Sequence, residues 1–305
     1  MSVSSRCYGK DNVRVLKVER DVQDPNLQYV QEMTCCVLLD GDIETSYTAA
    51  DNSVIVPTDT VKNTIYIMAK KTPGVWPIEY FAGVLGQHFI DKYAHISRVE
   101  VTITQHKWSR YAVNGKPHAH SFVRDGTEKR SVKLVKDRKL GFKVTSGLFD
   151  LSVLKSTGSM FHGFNQCDFT ILKETWDRIL STDITAGWTW SPAKLATLSD
   201  FKRFYQEGIF DRAYKIVLDN TLTTFALENS ASVQATMYNM AQLILGDVVE
   251  LDSVTYELPN KHFFEINLDW HHGLKNTGTD AEVYAPQSDP NGLIKCTVSR
   301  NKSKL

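Results

Sequence analysis

The sequence predicts an α+β fold of two tandem ββααββ units, each an antiparallel sheet with its helices on one face. Three observations point there: apolar stretches paired across turn signals, two amphipathic runs that follow them, and a ten-residue string of the first half that recurs in the second. Residues 13–18 and 29–39 are extended candidates joined by the turn-forming Asp24-Pro25-Asn26, which reads as a hairpin. Val61, Ile65, Met68 and Ala69 then recur at helical spacing, with Thr58 placed to cap the first turn. A second amphipathic run follows Pro77, with Ile78, Phe81, Leu85, Phe89 and Tyr93 on one face. Val99, Val101 and Ile103 alternate with Glu100, Thr102 and Thr104, the pattern of a half-buried strand. The second half offers extended candidates at residues 148–154 and 178–190, helical patterning over 199–245, and strands at 248–258 and 262–270, where Phe264, Ile266 and Leu268 face one way. Thr60-Val61-Lys62-Asn63-Thr64-Ile65-Tyr66-Ile67-Met68-Ala69 lines up with Ser232-Val233-Gln234-Ala235-Thr236-Met237-Tyr238-Asn239-Met240-Ala241, repeating Val, Thr, Tyr, Met and Ala in register. A boundary near residues 140–146 gives a first repeat over residues 1–142 and a second over 143–305. Each such sheet leaves open edges, so closure into a barrel by assembly of subunits is expected.

Lys+Arg and Asp+Glu stand at 35 each, so there is no global basic field of the kind that draws nucleic acid. No apolar run approaches the length needed to span a bilayer, and residues 1–10 lack an apolar signal region. Neither nucleic acid nor membrane is an expected partner. Five cysteines (Cys7, Cys35, Cys36, Cys167, Cys296) form no C-x-x-C pair and no even framework, which fits reduced thiols, with Cys35 and Cys36 on opposite faces of a strand. Residues 124–143 carry eight Lys/Arg against three Asp/Glu and read as a solvated loop, the alternative being a local field that attracts a small anion. Ser303-Lys304-Leu305 is the tripeptide address read by the peroxisomal import receptor, which points to a compartment of oxidation and peroxide.

Pro117-His118-Ala119-His120 puts two imidazoles on one face of a strand, where they could share an ion with a third ligand such as His106; structural hydrogen bonding is the commoner role for such a pair. There is no G-x-G-x-x-G opening a helix, no P-loop, no G-x-S-x-G and no H-E-x-x-H. An oxidase built on this chain therefore binds its cofactor unconventionally or uses none. Two helix starts, Thr58-Asp59 and Ser232-Val233-Gln234, offer backbone N–H groups to an anion, although Thr58 and Ser232 singly are ordinary caps.

Several longer strings, in order along nearly the whole chain, resemble the urate oxidase (uricase) family: Tyr8-Gly9-Lys10-Asp11-Asn12-Val13-Arg14-Val15, Ala50-Asp51-Asn52-Ser53-Val54-Ile55-Val56, Lys173-Glu174-Thr175-Trp176-Asp177-Arg178-Ile179-Leu180-Ser181-Thr182, Asn229-Ser230-Ala231-Ser232-Val233-Gln234-Ala235-Thr236-Met237-Tyr238, Leu258-Pro259-Asn260-Lys261-His262 and Ala285-Pro286-Gln287-Ser288-Asp289-Pro290-Asn291-Gly292-Leu293-Ile294. The resemblance implies a tandem tunnelling fold, a homotetramer, and oxidation of urate by O₂ to 5-hydroxyisourate and H₂O₂ with no metal and no organic cofactor. By position it implies that Arg178 and Gln234 grip opposite edges of the purine, that the backbone at Val233 adds a contact, and that Phe161 stacks on the ring. It further implies a proton relay of Lys10, Thr58 and His262, with Asn260 and Thr58 holding O₂ and then water above the ring, and with Thr58 and Asp59 donated by a neighbouring subunit. Without the resemblance, Lys10 and Arg178 read as surface charges and Phe161 as core. Two alternatives remain at this stage: a zinc-dependent pterin-type enzyme of the same fold using His106, His118 and His120, and a purine-binding protein without catalysis.

Overall fold

The computed structural model describes residues 3–300; Ser303-Lys304-Leu305 lies outside the described residues. In chain order the elements are β1 (Tyr8–Arg20), β2 (Gln28–Gly41), α1 (Glu44–Thr48), α2 (Thr58–Lys71), α3 (Ile78–Lys92), β3 (Ile96–His106), β4 (Ser109–Val113), β5 (Lys116–Val123), β6 (Lys129–Asp137), β7 (Gly141–Lys155), β8 (Leu180–Trp190), α4 (Leu198–Gln206), α5 (Ile209–Leu227), α6 (Val233–Asp247), β9 (Leu251–Glu265) and β10 (Tyr284–Ser299). Eight strands form one antiparallel sheet in the order β1-β2-β3-β6-β7-β8-β9-β10, while β4 and β5 make a separate hairpin. On each side of the β6–β7 turn the chain runs strand pair, helices, strand pair, as the α+β expectation required.

Alternation explains why the sheet is covered on one face. Along β2, Met33, Cys35, Val37 and Leu39 are fully buried while Glu32, Thr34, Cys36 and Leu38 are half-buried. A strand with period two must send these sets to opposite faces. Burial pushes the Cys35 thiol up to about 12, so it is packing rather than a nucleophile. On the helix side Ile65, Phe81, Leu85 and Phe89 join that core, each burial contributing about 1.5–3 kcal/mol. Gly83 of α3 lies against the Phe201 ring of α4; a Cβ there would stand 2.7 Å from Phe201 Cδ1, so the two halves approach closely only because the side chain is absent. The helix-free face is polar and cross-linked, with Lys133 bonded to Glu100 at 2.8 Å, Lys295 to Glu257 at 2.7 Å and Thr255 to Thr297 at 2.9 Å.

Several expectations need correction. The 199–245 helical run is three helices, because Gly208 at φ +65° separates α4 from α5, and residues 229–231 extend to pair with another segment before α6 begins. Residues 251–265 form one strand, not two, and the final strand is β10. Its Pro286, Pro290 and Gly292 read as loop, but an edge strand tolerates residues that cannot donate to a ladder, and pairing with β9 shifts register between Gln287 and Gly292. Thr58 is the first residue of α2 and does not cap it; Pro57 holds the cap position. The matched ten-residue strings lie on α2, packed on edge strand β1, and on α6, packed on β9 and the opposite edge β10; by element order the counterpart of α6 is α3. The basic segment is no solvated loop. Much of it is β6, where Lys129 pairs with Asp150 at 2.5 Å, and just beyond the strand Arg138 bonds the carbonyls of Ile90, Tyr93 and Ile96. Among the described residues no helix is long and apolar enough to cross a membrane.

Arg130 of that segment anchors the centre. Its guanidinium meets the fully buried Glu79 of α3 at 2.8 and 3.3 Å and Asp211 of α5 at 2.6 Å; Ser146 of β7 donates to Glu79 at 2.7 Å and accepts from Trp190 Nε1 at 2.8 Å. One desolvated ion pair thus ties helices and strands of both halves. Removing one partner strands a buried charge, so Arg130→Met is expected to cost about 3–5 kcal/mol in chemical denaturation, and Glu79→Leu added to it to recover part of that loss.

Candidate functional site

The candidate residues fall into two groups at opposite ends of the sheet. Lys10 sits half-buried on β1 just before a register shift, with Asn12 at φ +56°. Tyr8 of the same strand accepts the Val56 N–H at 2.7 Å, which holds the entry to α2 against β1. Thr58 and Asp59 therefore open α2 beside Lys10. The Asp59 carboxyl is exposed and held below the usual carboxylate range, first by the Lys62 hydrogen bond and to a lesser degree by the Lys10 charge. Asn63 donates to its second oxygen at 2.8 Å.

Of the second group, Arg178, Asn260 and His262 line a cleft of about 560 Å³, while Phe161, Val233 and Gln234 lie outside its lining. Asn260 and His262 come from β9, and Arg178 from the segment that leads into β8. Phe161 pairs with Thr175 through two backbone bonds of 2.8 and 2.9 Å, and its ring stacks on Phe164 at 4.9 Å. The Arg178 guanidinium lies 5.2 Å from the Phe161 ring centre. Arg178 Nε reaches Ser159 Oγ at 3.4 Å. Burial lowers the Arg178 pKa with no counter-charge to offset it, and among the described residues its two terminal nitrogens meet no acceptor. It remains a cation, half-buried, with its terminal fork of donors open to the cleft.

Ser232 caps α6, accepting the Ala235 N–H at 3.4 Å while its hydroxyl donates to the Gln234 side-chain oxygen at 3.0 Å. That orients the Gln234 amide with its NH₂ free and leaves the first-turn N–H groups of Val233 and Gln234 to a ligand. Asn260 Oδ1 is buried without a hydrogen-bond partner. A buried carbonyl oxygen left unpaired costs about 1–3 kcal/mol, a cost expected where a group faces substrate or ordered water.

Within one chain, then, Arg178, Phe161, Val233, Gln234, Asn260 and His262 gather near the β9 end, and Lys10, Thr58 and Asp59 gather at β1. Seven strand spacings of about 4.8 Å separate the edges by roughly 30 Å along the sheet. The histidine alternative is not assembled: His118 and His120 do share a face of β5, with rings 4.6 Å apart, but His106 lies on β3 bonded to Thr34 at 2.8 Å. Among the described residues no three His, Cys, Asp or Glu side chains cluster as a metal-ligand set. Sequence reasoning passed over Ser159 and Ser230, both buried and paired with each other; their only signal is adjacency to the Phe161 and Gln234 strings.

A family model described as Uricase matches residues 6–135 and 144–295. The chain belongs to the uricase family. Uricases of Cyberlindnera jadinii and Aspergillus flavus are each 55% identical to it, over 305 and 306 residues, across 100% of this chain and 99% of each relative. The crystal structure of uricase from Arthrobacter globiformis matches with a TM-score of 0.86 at 32% identity, covering 100% of this chain and 97% of that one. Each candidate position thus sits within a uricase-type scaffold, with Asn260 Oδ1 buried and unpaired. Asn260→Leu, which removes the orphaned oxygen at similar volume, is expected to raise stability by about 1 kcal/mol in a thermal melt; a marked fall in Tm would contradict this account of the cleft.

Proposed function

We propose that this protein catalyses urate oxidation in purine degradation: urate, O₂ and water give 5-hydroxyisourate and H₂O₂, with no cofactor. The ring supplies two electrons, O₂ takes them as peroxide, and the oxygen of water joins the oxidised carbon. Family membership over the full chain supports the reaction. The observation that carries the site is Arg178, a half-buried cation on the cleft wall with no acid partner, its guanidinium beside the Phe161 ring. Its fork pairs with a carbonyl and ring nitrogen on one edge of a purine anion, and Gln234 with the Val233 N–H meets the other. Phe161 stacks on the ring, and Asn260 holds O₂ and then water above it.

Lys10, Thr58 and His262 form the proton relay: an amine, a hydroxyl and an imidazole remove the second urate proton and later activate water. No single chain brings these three together, so the site is shared, with Lys10, Thr58 and Asp59 reaching it from a neighbouring subunit. Open β1 and β10 edges and the polar helix-free face support closure of the sheet into a barrel within a homotetramer. Residues 1–142 and 143–305 are taken as tandem tunnelling-fold repeats, which the common element order on either side of the β6–β7 turn supports. The Ser303-Lys304-Leu305 ending directs the protein, through the import receptor, to the peroxisome.

Loss of the urate absorption band followed alongside O₂ uptake, after treatment with a strong chelator, tests the reaction. One O₂ consumed per urate is expected; activity that returns only with added metal would overturn it. Lys10→Met and Thr58→Ala are expected to lower kcat by about 10²-fold or more with little change in KM, whereas Arg178→Ala raises KM by at least about tenfold. Unchanged kinetics in all three would refute the assigned roles.

A further inference from the structure

Arg178 and the first turns of α6 are each bonded to one of two buried, mutually paired serines, Ser159 and Ser230. Lys155, the last residue of β7, donates to the Glu228 carbonyl at 2.7 Å and to Ser230 Oγ at 2.9 Å. Ser230 is 1% exposed; its N–H donates to the Gly158 carbonyl at 3.0 Å and its carbonyl accepts the Met160 N–H at 3.0 Å. The same Ser230 hydroxyl accepts from the Thr236 hydroxyl at 3.1 Å, inside the first turns of α6. Ser159, also 1% exposed, accepts the Arg178 N–H on its carbonyl at 2.9 Å and Arg178 Nε on its hydroxyl at 3.4 Å, while that hydroxyl donates to the Ser230 carbonyl at 3.5 Å. Arg178 on one side and α6 on the other are both bonded to the Ser159–Ser230 pair. Lys155 bonds that pair to the end of β7, and its ammonium lies 5.4 Å from the centre of the Phe225 ring.

We infer that Lys155 is a positioning residue of the substrate site: through Ser230 and Ser159 it fixes the separation across which Arg178 and the Val233–Gln234 helix start hold a purine anion. This rests on the assignment of Arg178, Val233 and Gln234 as the substrate clamp. A rigid planar ligand bonded along two opposed edges cannot adapt to a changed gap, and hydrogen bonds weaken within a few tenths of an ångström. Lys155 Nζ is bonded to the Glu228 carbonyl and the Ser230 hydroxyl, behind the clamp rather than toward a substrate.

The test uses the intact protein and two ligands, urate in turnover and xanthine as a non-reacting purine dione in equilibrium binding. Lys155→Met is expected to raise the urate KM and the xanthine Kd by about tenfold while kcat changes less than about threefold. Ser230→Ala, which removes the acceptor and leaves the backbone pairing intact, is expected to act in the same direction, and Lys155→Arg to restore most of the affinity. In an Arg178→Ala background, Lys155→Met is expected to weaken xanthine binding by less than about threefold, because one arm of the clamp is already gone. A merely structural role would cost the same factor in both backgrounds, and that result overturns the inference, as does unchanged binding in both Lys155→Met and Ser230→Ala. Failure of the unmodified protein to bind or oxidise urate would instead remove the functional assignment beneath it.

Discussion

A sheet that does not close on itself ends in two unpaired edges, and in this chain the edges carry different parts of one candidate site. β1 presents Lys10, with α2 packed along it and opening on Thr58 and Asp59; β9, next to the other edge, presents Asn260 and His262. Exposed edges are templates for pairing with another chain, and here pairing would also complete the chemistry. The polar helix-free face fits the same constraint, since Thr, Ser, Lys and Glu side chains suit a hydrated lumen better than a second packed layer.

Rigid support behind the site matters as much as its contents. The Glu79–Arg130 pair is buried where α3, α5, β6 and β7 converge, and its neighbours Ser146 and Trp190 leave few donors unmet. Such a pair adds little net stability but strongly disfavours arrangements that separate its partners. By contrast the cleft keeps Asn260 Oδ1 buried without a hydrogen-bond partner. Polar groups that wait desolvated for a ligand are costly in the empty protein and need not reorganise when it binds. The buried Ser159–Ser230 pairing bonds Arg178 on one side and the first turns of α6 on the other.

Much of the fold was legible because strands and helices bury one face each. The period of two in β2 and β3 and the spacing of Ile78, Phe81, Leu85 and Phe89 identified those elements. What escaped was set by tertiary context. β10 contains Pro286, Pro290 and Gly292, which local chemistry assigns to a loop, and only its edge position makes a strand admissible. β9 passes through Leu258-Pro259-Asn260, whose turn-like composition divided one strand into two. Residues 124–143 looked solvated because their partners, Glu79, Asp150 and Asp211, lie far away in sequence. The site was legible only through family strings: nothing local marks Lys10 or Arg178 as other than surface charge. The Ser159–Ser230 bridge joins residues 71 apart, a pairing that no local pattern encodes.

Mixing two impaired variants, assayed at urate well below KM where both turn over slowly, tests most directly whether the site is shared. Lys10→Met and Arg178→Ala subunits are purified separately, then dissociated and reassembled together, with urate oxidation measured before and after. If Lys10 and Arg178 serve one site from different subunits, random mixing leaves some sites with both residues intact, and activity returns to about a quarter of that of the unmodified protein. If both residues of a site come from the same chain, no mixture contains an intact site, and activity that stays at the level of the two variants alone would contradict the account.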